Sequence, residues 1–272
     1  MEENCNARGC IKMKAKEKRF SFVTMIWSKL QNLTPLIRNS MVTYFLFTIA
    51  LPGYMVISYT VDTTNSPSLA FFLDDKIPFI PWTIAIYDWI YIIIFIPLFT
   101  VKDIHLLKAV AKAFTFVILI SLSVFILFPV KIERPELTNP KDFFEWWVWI
   151  NYTLDKPTAL FPSMHVSNAI LSALITSHWS KKIGIPALLL SLAISLSTLT
   201  VKQHFIADVI AGCILAVTSY YLFIKPYINN STNSNREEVL LPEKFSMIVP
   251  LLGFLATGIL FLVYKAFWAK YP

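Results

Sequence analysis

The segment KQHFIADVIAG, residues 202–212, carries His204 and Asp208 four positions apart in otherwise apolar surroundings. On a helix that spacing puts both side chains on one face, within hydrogen-bond reach. A carboxylate that accepts one ring N–H fixes the tautomer and leaves the other nitrogen as a usable nucleophile. A self-satisfied polar pair would look the same, but ionisable groups at membrane depth are costly and usually functional.

A second segment, FPSMHVS at 161–167, places Pro162, Ser163 and His165 together. Proline suits the first turn of a helix, and serine suits an N-cap. The free N–H groups of such a helix start can hold a phosphate. His165 beside them is placed to give a proton to a leaving oxygen. In the third segment, VKIERP at 130–135, Lys131 supplies a point charge and Arg134 a bidentate fork, flanked by Glu133 and Glu136. Lys202 adds a cation two residues before His204. A nucleophile, its orienting carboxylate, a general acid and cationic clamps are the parts that phosphoryl transfer needs. With Arg, Lys and helix amides to neutralise the phosphate, the chemistry calls for no metal and no cofactor. The four histidines are far apart, and no metal-ligand spacing occurs. Six unclustered glycines exclude a glycine-rich phosphate loop of the P-loop or dinucleotide type.

Taken in order, RP, PSxH and HxxxD resemble the type 2 phosphatidic acid phosphatase superfamily, whose pattern is KxxxxxxRP, PSGH and SRxxxxxHxxxD. The resemblance covers Lys131 to Asp208 and the spans that hold them. It implies a six-helix core and a phosphohistidine mechanism. His204 would be the nucleophile, oriented by Asp208, and His165 would protonate the leaving group. Arg134, Ser163 and backbone amides would bind phosphate. The chain departs from the pattern at three positions. Leu127 stands where the first-motif Lys belongs, Met164 replaces the Gly, and Thr198 follows Ser197 in place of Arg. The KQH form of the third motif is also similar to branches related to sphingolipid phosphotransferases. The implied substrate is a lipid phosphate or diphosphate. The acceptor stays open between water, a hydrolase, and an alcohol, a phosphotransferase that moves a headgroup. A transporter or lipid-binding protein with a vestigial site would instead show inverted repeats and paired broken spans, and the sequence shows neither.

The elements that position these residues follow from hydropathy. The chain has 272 residues, 56% of them hydrophobic and 15% charged, a mix that points to membrane. A span needs about 20 mostly apolar residues. Seven segments qualify: 41–61, 81–101, 110–130, 162–179, 183–201, 205–224 and 246–268. The expected fold is an all-α, polytopic membrane helix bundle, a six-helix phosphatase-like core plus a seventh span. The 246–268 span is the weakest of them. The divisions are a basic tail at 1–40, a membrane catalytic core at 41–226, a polar loop at 227–245 and a C-terminal helix at 246–272.

Parity then brings the chemistry together. A tight turn at Lys181 and Lys182 makes the fourth and fifth spans a hairpin. The start of the fourth span, the end of the fifth, the start of the sixth and the loop after the third therefore share one side. Arg134, Ser163, His165, Lys202, His204 and Asp208 converge there, while His105 and His178 fall on the other side.

The net charge of +7 is concentrated early, with eight Lys/Arg against three Glu in the first 40 residues. No nucleic-acid motif accompanies this tail, so a nucleic-acid partner is not expected; it reads as a cytoplasmic segment touching anionic lipid. Residues 21–36 carry apolar positions on one helix face and suggest an interfacial helix. No cleavable signal peptide is apparent. Cys5, Cys10 and Cys213 are too scattered for a disulfide framework. Lys102, Lys108, Lys181 and Lys182 lie on the side of the basic tail. The Lys/Arg bias therefore puts the site outside; low glycine, the Asn/Ser/Thr tract and two outer-face histidines fit the periplasmic face of a bacterial inner membrane, with a eukaryotic lumen as the alternative. The 73–82 segment with Asp74, Asp75 and Lys76 reads as a turn and interfacial anchor or as a headgroup entrance. Asp88 lies inside the second span. Phe143, Phe144, Trp146, Trp147 and Trp149 form an interfacial belt over the site, and Asn151-Tyr152-Thr153 is a glycosylation sequon.

Overall fold

A computed structural model describes residues 25–26, 28–29, 33, 35–97, 101, 104–230 and 248–268. Most of the basic tail with Cys5 and Cys10, much of the expected interfacial helix, Lys102, the 231–247 part of the polar loop and Lys270 lie outside the described residues. Among the described residues every regular element is helical, and there is no strand. Helix α1 spans Pro35–Thr60. Two short pieces, α2 Ile84–Tyr87 and α3 Ile90–Ile93, follow a 3-10 turn at Pro81–Thr83. Then come α4 Ile104–Leu127, α5 Phe143–Leu154, α6 Met164–Trp179, α7 Lys181–Thr200 and α8 Ile206–Ser219. A π turn leads from α8 into α9 Lys225–Asn230, and α10 covers Ile248–Val263.

Three described helices are long and apolar enough to cross a bilayer: Ile104–Leu127, Lys181–Thr200 and Ile206–Asn229. The second expected span differs from a regular helix. Tyr91 N–H donates to Asp88 O and Ile92 N–H to Trp89 O, the tighter i to i+3 pattern, so α2 and α3 are separate pieces. That tighter winding rises about 2.0 Å per residue, so a short run still travels far across the layer.

Helix α6 is the centre of the bundle, and its buried residues include Ser167, Ser172 and Thr176. It carries more polar residues than α4 or α8 because protein, not lipid, surrounds much of it. The α6–α7 hairpin turns on one residue, Ser180, which ends α6 and caps α7. A Cβ at Gly184 would lie 2.1 Å from Ser177 Cα, so only glycine lets the hairpin close. Buried hydroxyls stitch the spans together where water cannot serve. Ser191 Oγ donates to Ala169 O at 2.9 Å, and Ser219 Oγ to Ala113 O at 2.9 Å.

The aromatic belt also finds a partner. Phe143 packs 5.1 Å from Phe261 and 5.5 Å from Tyr264, and Trp146 packs 5.2 Å from Tyr264. The C-terminal helix thus ends against α5, within the long loop that precedes the fourth span. The belt is a packed aromatic cluster in which Trp146, Trp147 and Val148 are buried.

Candidate active site

Helix α8 begins at Ile206 with Phe205 as its N-cap, so His204 lies just outside the helix and Asp208 occupies its third position. The pair is a helix-start arrangement rather than two neighbours on one helical face. Asp208 is fully buried, and its Oδ2 accepts from Phe205 N at 2.9 Å, capping the helix. The same oxygen lies 3.3 Å from His204 Nδ1. One carboxylate therefore sets both the start of the helix and the ring that precedes it. Nδ1 is engaged, and Nε2 is the nitrogen left for chemistry. His204 is 6% exposed, and that remnant opens on a cavity of about 320 Å³.

The approach of α8 to α6 is equally constrained. Ser163 N–H donates to Asp208 O at 3.1 Å. A Cβ on Gly212 would stand 2.7 Å from Ser163 O and 3.1 Å from Val166 Cβ. The variant Gly212→Ala is expected to push the two helix starts apart and to destabilise the protein by about 1–3 kcal/mol. Thermal unfolding in detergent checks this, and an unchanged midpoint contradicts it.

Ser163 is the N-cap of α6; its Oγ accepts from Val166 N at 3.3 Å, and it is wholly buried. Pro162 precedes this cap rather than opening the helix. Ser163 does not line the cavity; its hydroxyl fixes the helix that carries His165. The His165 ring centroid stands 5.8 Å from that of His204. The two histidines expected to converge are thus adjacent. His165 Nε2 is 2.9 Å from the Tyr87 hydroxyl, a partner that the sequence did not announce.

Arg134 lines the cavity beside His204. Its Nη1 donates to Asp155 O at 2.5 Å, its Nη2 donates to Gln203 Oε1, and its guanidinium lies 3.6 Å from the Asp155 carboxylate. The plane of the fork covers the Tyr152 ring at 4.7 Å. Asp155 in turn accepts from the Tyr54 hydroxyl of α1. Burial pushes the Asp155 carboxyl above the usual carboxylate range, while Arg134 and the Tyr54 hydroxyl pull it back down. Asp155, Gln203, Tyr54 and Tyr152 hold the guanidinium in one pose, and sequence reading named none of them as site residues. The one available signal was the polar Gln203 beside His204.

The other expected cations are placed differently. Lys202 lines the cavity, but its Nζ donates to Asp74 O at 3.1 Å and to Ile77 O at 2.6 Å. Its backbone is left-handed, with φ 53°, which turns the chain sharply from α7 into α8. Asp74 completes the tie: its carboxylate accepts from Ile206 N at 2.8 Å and from Phe71 N at 2.8 Å. The 74–77 turn is therefore both a structural clasp on α8 and one wall of the cavity, with Asp74, Asp75 and Ile77 lining it. Lys131 is exposed and does not line the cavity. At the departures from the family pattern, Leu127 is 82% exposed at the end of α4, and Thr198 is fully buried with its hydroxyl donating to Ser195 O. Gln203 N and His204 N both donate to Thr198 O, so that position shapes the loop through its backbone.

Two other sequence features resolve inward. Asp88 accepts from Trp147 Nε1 at 2.6 Å and from Asn151 Nδ2 at 3.5 Å. Asn151 Nδ2 also donates to Trp147 O at 3.2 Å, so the sequon amide is engaged within the fold.

A family model described as the PAP2 superfamily matches residues 64–222, more than half of the chain. The chain belongs to the PAP2 superfamily, the type 2 phosphatidic acid phosphatases. Its activity is accordingly of the phosphatase type, related in general to lipids, and its place is the membrane. No curated protein and no solved structure matches it.

Proposed function

We propose that this chain hydrolyses a lipid phosphate or diphosphate through a phosphohistidine intermediate on His204. The observation that supports this most strongly is the conjunction at one cavity. His204, its Nδ1 held 3.3 Å from buried Asp208, shares that cavity with the guanidinium of Arg134. The phosphate docks on Arg134, whose fixed fork matches two phosphate oxygens. His204 Nε2 attacks phosphorus in line as the bond to the lipid oxygen breaks. His165 delivers a proton to that oxygen. Water then attacks the phosphohistidine, its proton passes to His165, and inorganic phosphate leaves. Arg134 supplies the cationic charge in this reading, so the cycle proceeds without a metal ion. Lys131, Lys202 and Ser163, expected at the phosphate, act in this reading at the rim, in the clasp and in the cap respectively.

The Lys/Arg bias favours a site on the side away from the cytoplasm, the periplasmic side if the membrane is a bacterial inner membrane, with Lys108, Lys181 and Lys182 on the cytoplasmic side. The test is the purified full chain in detergent with chelator, offered phosphatidic acid, phosphatidylglycerophosphate, a polyprenyl diphosphate and a sphingolipid phosphate. Phosphate release from at least one of them is expected. Release from none would sink the reading. A new phospholipid formed on an added alcohol, without free phosphate, would replace hydrolysis by headgroup transfer.

A further inference from the structure

The two histidines of the site have unlike partners. His204 Nδ1 faces a carboxylate, Asp208, while His165 Nε2 lies 2.9 Å from a phenol hydroxyl, that of Tyr87. Tyr87 is 1% exposed, and its ring lies against the His165 ring, centroids 4.9 Å apart and planes at 35°. The backbone on which Tyr87 sits is itself braced. The next residue, Asp88, ends α2 and accepts from Trp147 Nε1 at 2.6 Å, tying this helix to α5. Across the site stands His204, with Arg134 beyond it at the cavity wall. A carboxylate partner favours a ring that keeps positive charge; a neutral hydroxyl orients a ring and still lets its proton go.

We propose that Tyr87 is a positioning residue for His165, holding Nε2 so that Nδ1 is the nitrogen that gives and takes the proton. This rests on the phosphatase reading above. In the acid form both ring nitrogens carry hydrogen, and Nε2–H donates to the Tyr87 oxygen. As the phosphorus–oxygen bond breaks, the Nδ1 proton moves to the departing lipid oxygen, and the ring is left neutral. When water attacks the phosphohistidine, its proton returns to Nδ1 and the free phosphate departs. Nε2–H stays on the tyrosine throughout, so the ring does not need to turn between the two half-reactions.

The experiment is Tyr87→Phe in the full chain in detergent, assayed on an alkyl phosphate and on a nitrophenyl phosphate bearing a tail of equal length. The nitrophenolate leaves without a proton, so its single-turnover release reports phosphoryl transfer to His204 in a folded site, a step that does not need the acid. The expected result is a loss of about 10-fold to 100-fold in kcat on the alkyl ester. KM stays near the wild-type value, and the single-turnover release of nitrophenolate keeps nearly the full rate. Tyr87→Gln, whose amide oxygen retains a neutral acceptor for Nε2–H, recovers part of the alkyl rate. Equal loss in the alkyl ester turnover and in the single-turnover release of nitrophenolate, or no loss on the alkyl ester, overturns the role of Tyr87 and leaves the phosphatase reading standing. A wild type that fails on the alkyl ester overturns the phosphatase reading, and this role with it.

Discussion

Replacing His204 by Ala is expected to lower phosphate release by about 10⁴-fold or more, without unfolding the protein. The size follows from the cycle: without an imidazole in that position there is no acceptor for the phosphoryl group, and water would have to attack unaided. The fold is expected to survive because the ring faces the cavity and is not part of the packed core. Asp208 keeps the Phe205 N–H as a donor, so the start of α8 stays capped. Initial rates on a lipid phosphate, with unfolding in detergent as control, check the expectation. A variant that retains more than a tenth of the rate contradicts it.

Arg134→Ala is expected to act on both stability and chemistry. The guanidinium side chain is 7% exposed and pairs with Asp155, 21% exposed, at 3.6 Å. Removing one partner leaves a partly buried carboxylate beside the Tyr54 hydroxyl, and losing half of such a pair costs about 1–3 kcal/mol. The cavity also loses the fork that would stabilise charge building on phosphorus, which is worth about 10² to 10³ in kcat. The two losses are separable. The double variant Arg134→Met with Asp155→Leu removes both charges and is expected to regain most of the stability while staying inactive. If the double variant remains as unstable as Arg134→Ala, the buried pair is not the cause.

Hydropathy and parity made much of this legible in the sequence. Each span carries its own signal. One tight turn forces the start of α6 and the start of α8 onto the same side, and His165 and His204 stand 5.8 Å apart as that argument requires. What stayed hidden has two physical causes. The first is long-range polar pairing. Arg134 meets Gln203 69 residues away, and Tyr54 meets Asp155 101 residues away; neither pair leaves a periodic trace. The second is bonding to backbone. Lys202 looks in sequence like a phosphate clamp, but its ammonium is shared between two carbonyls of the 74–77 turn, and carbonyls have no sequence signature. The tight i to i+3 winding near Asp88 was hidden for the first reason: the apolar run of 81–101 reads as one span, while Asp88 at the break pairs with Trp147, 59 residues away.

In the proposed cycle His204 carries the phosphoryl group. The most direct test is a rapid quench of the chain turning over a lipid phosphate labelled on phosphorus. The quench is made in alkali, which preserves phosphohistidine, and the site is then mapped by mass spectrometry. The expected result is label on His204 Nε2 that forms before phosphate is released and is absent from His204→Ala. Steady turnover with no labelled histidine, or label on another residue, would contradict the account.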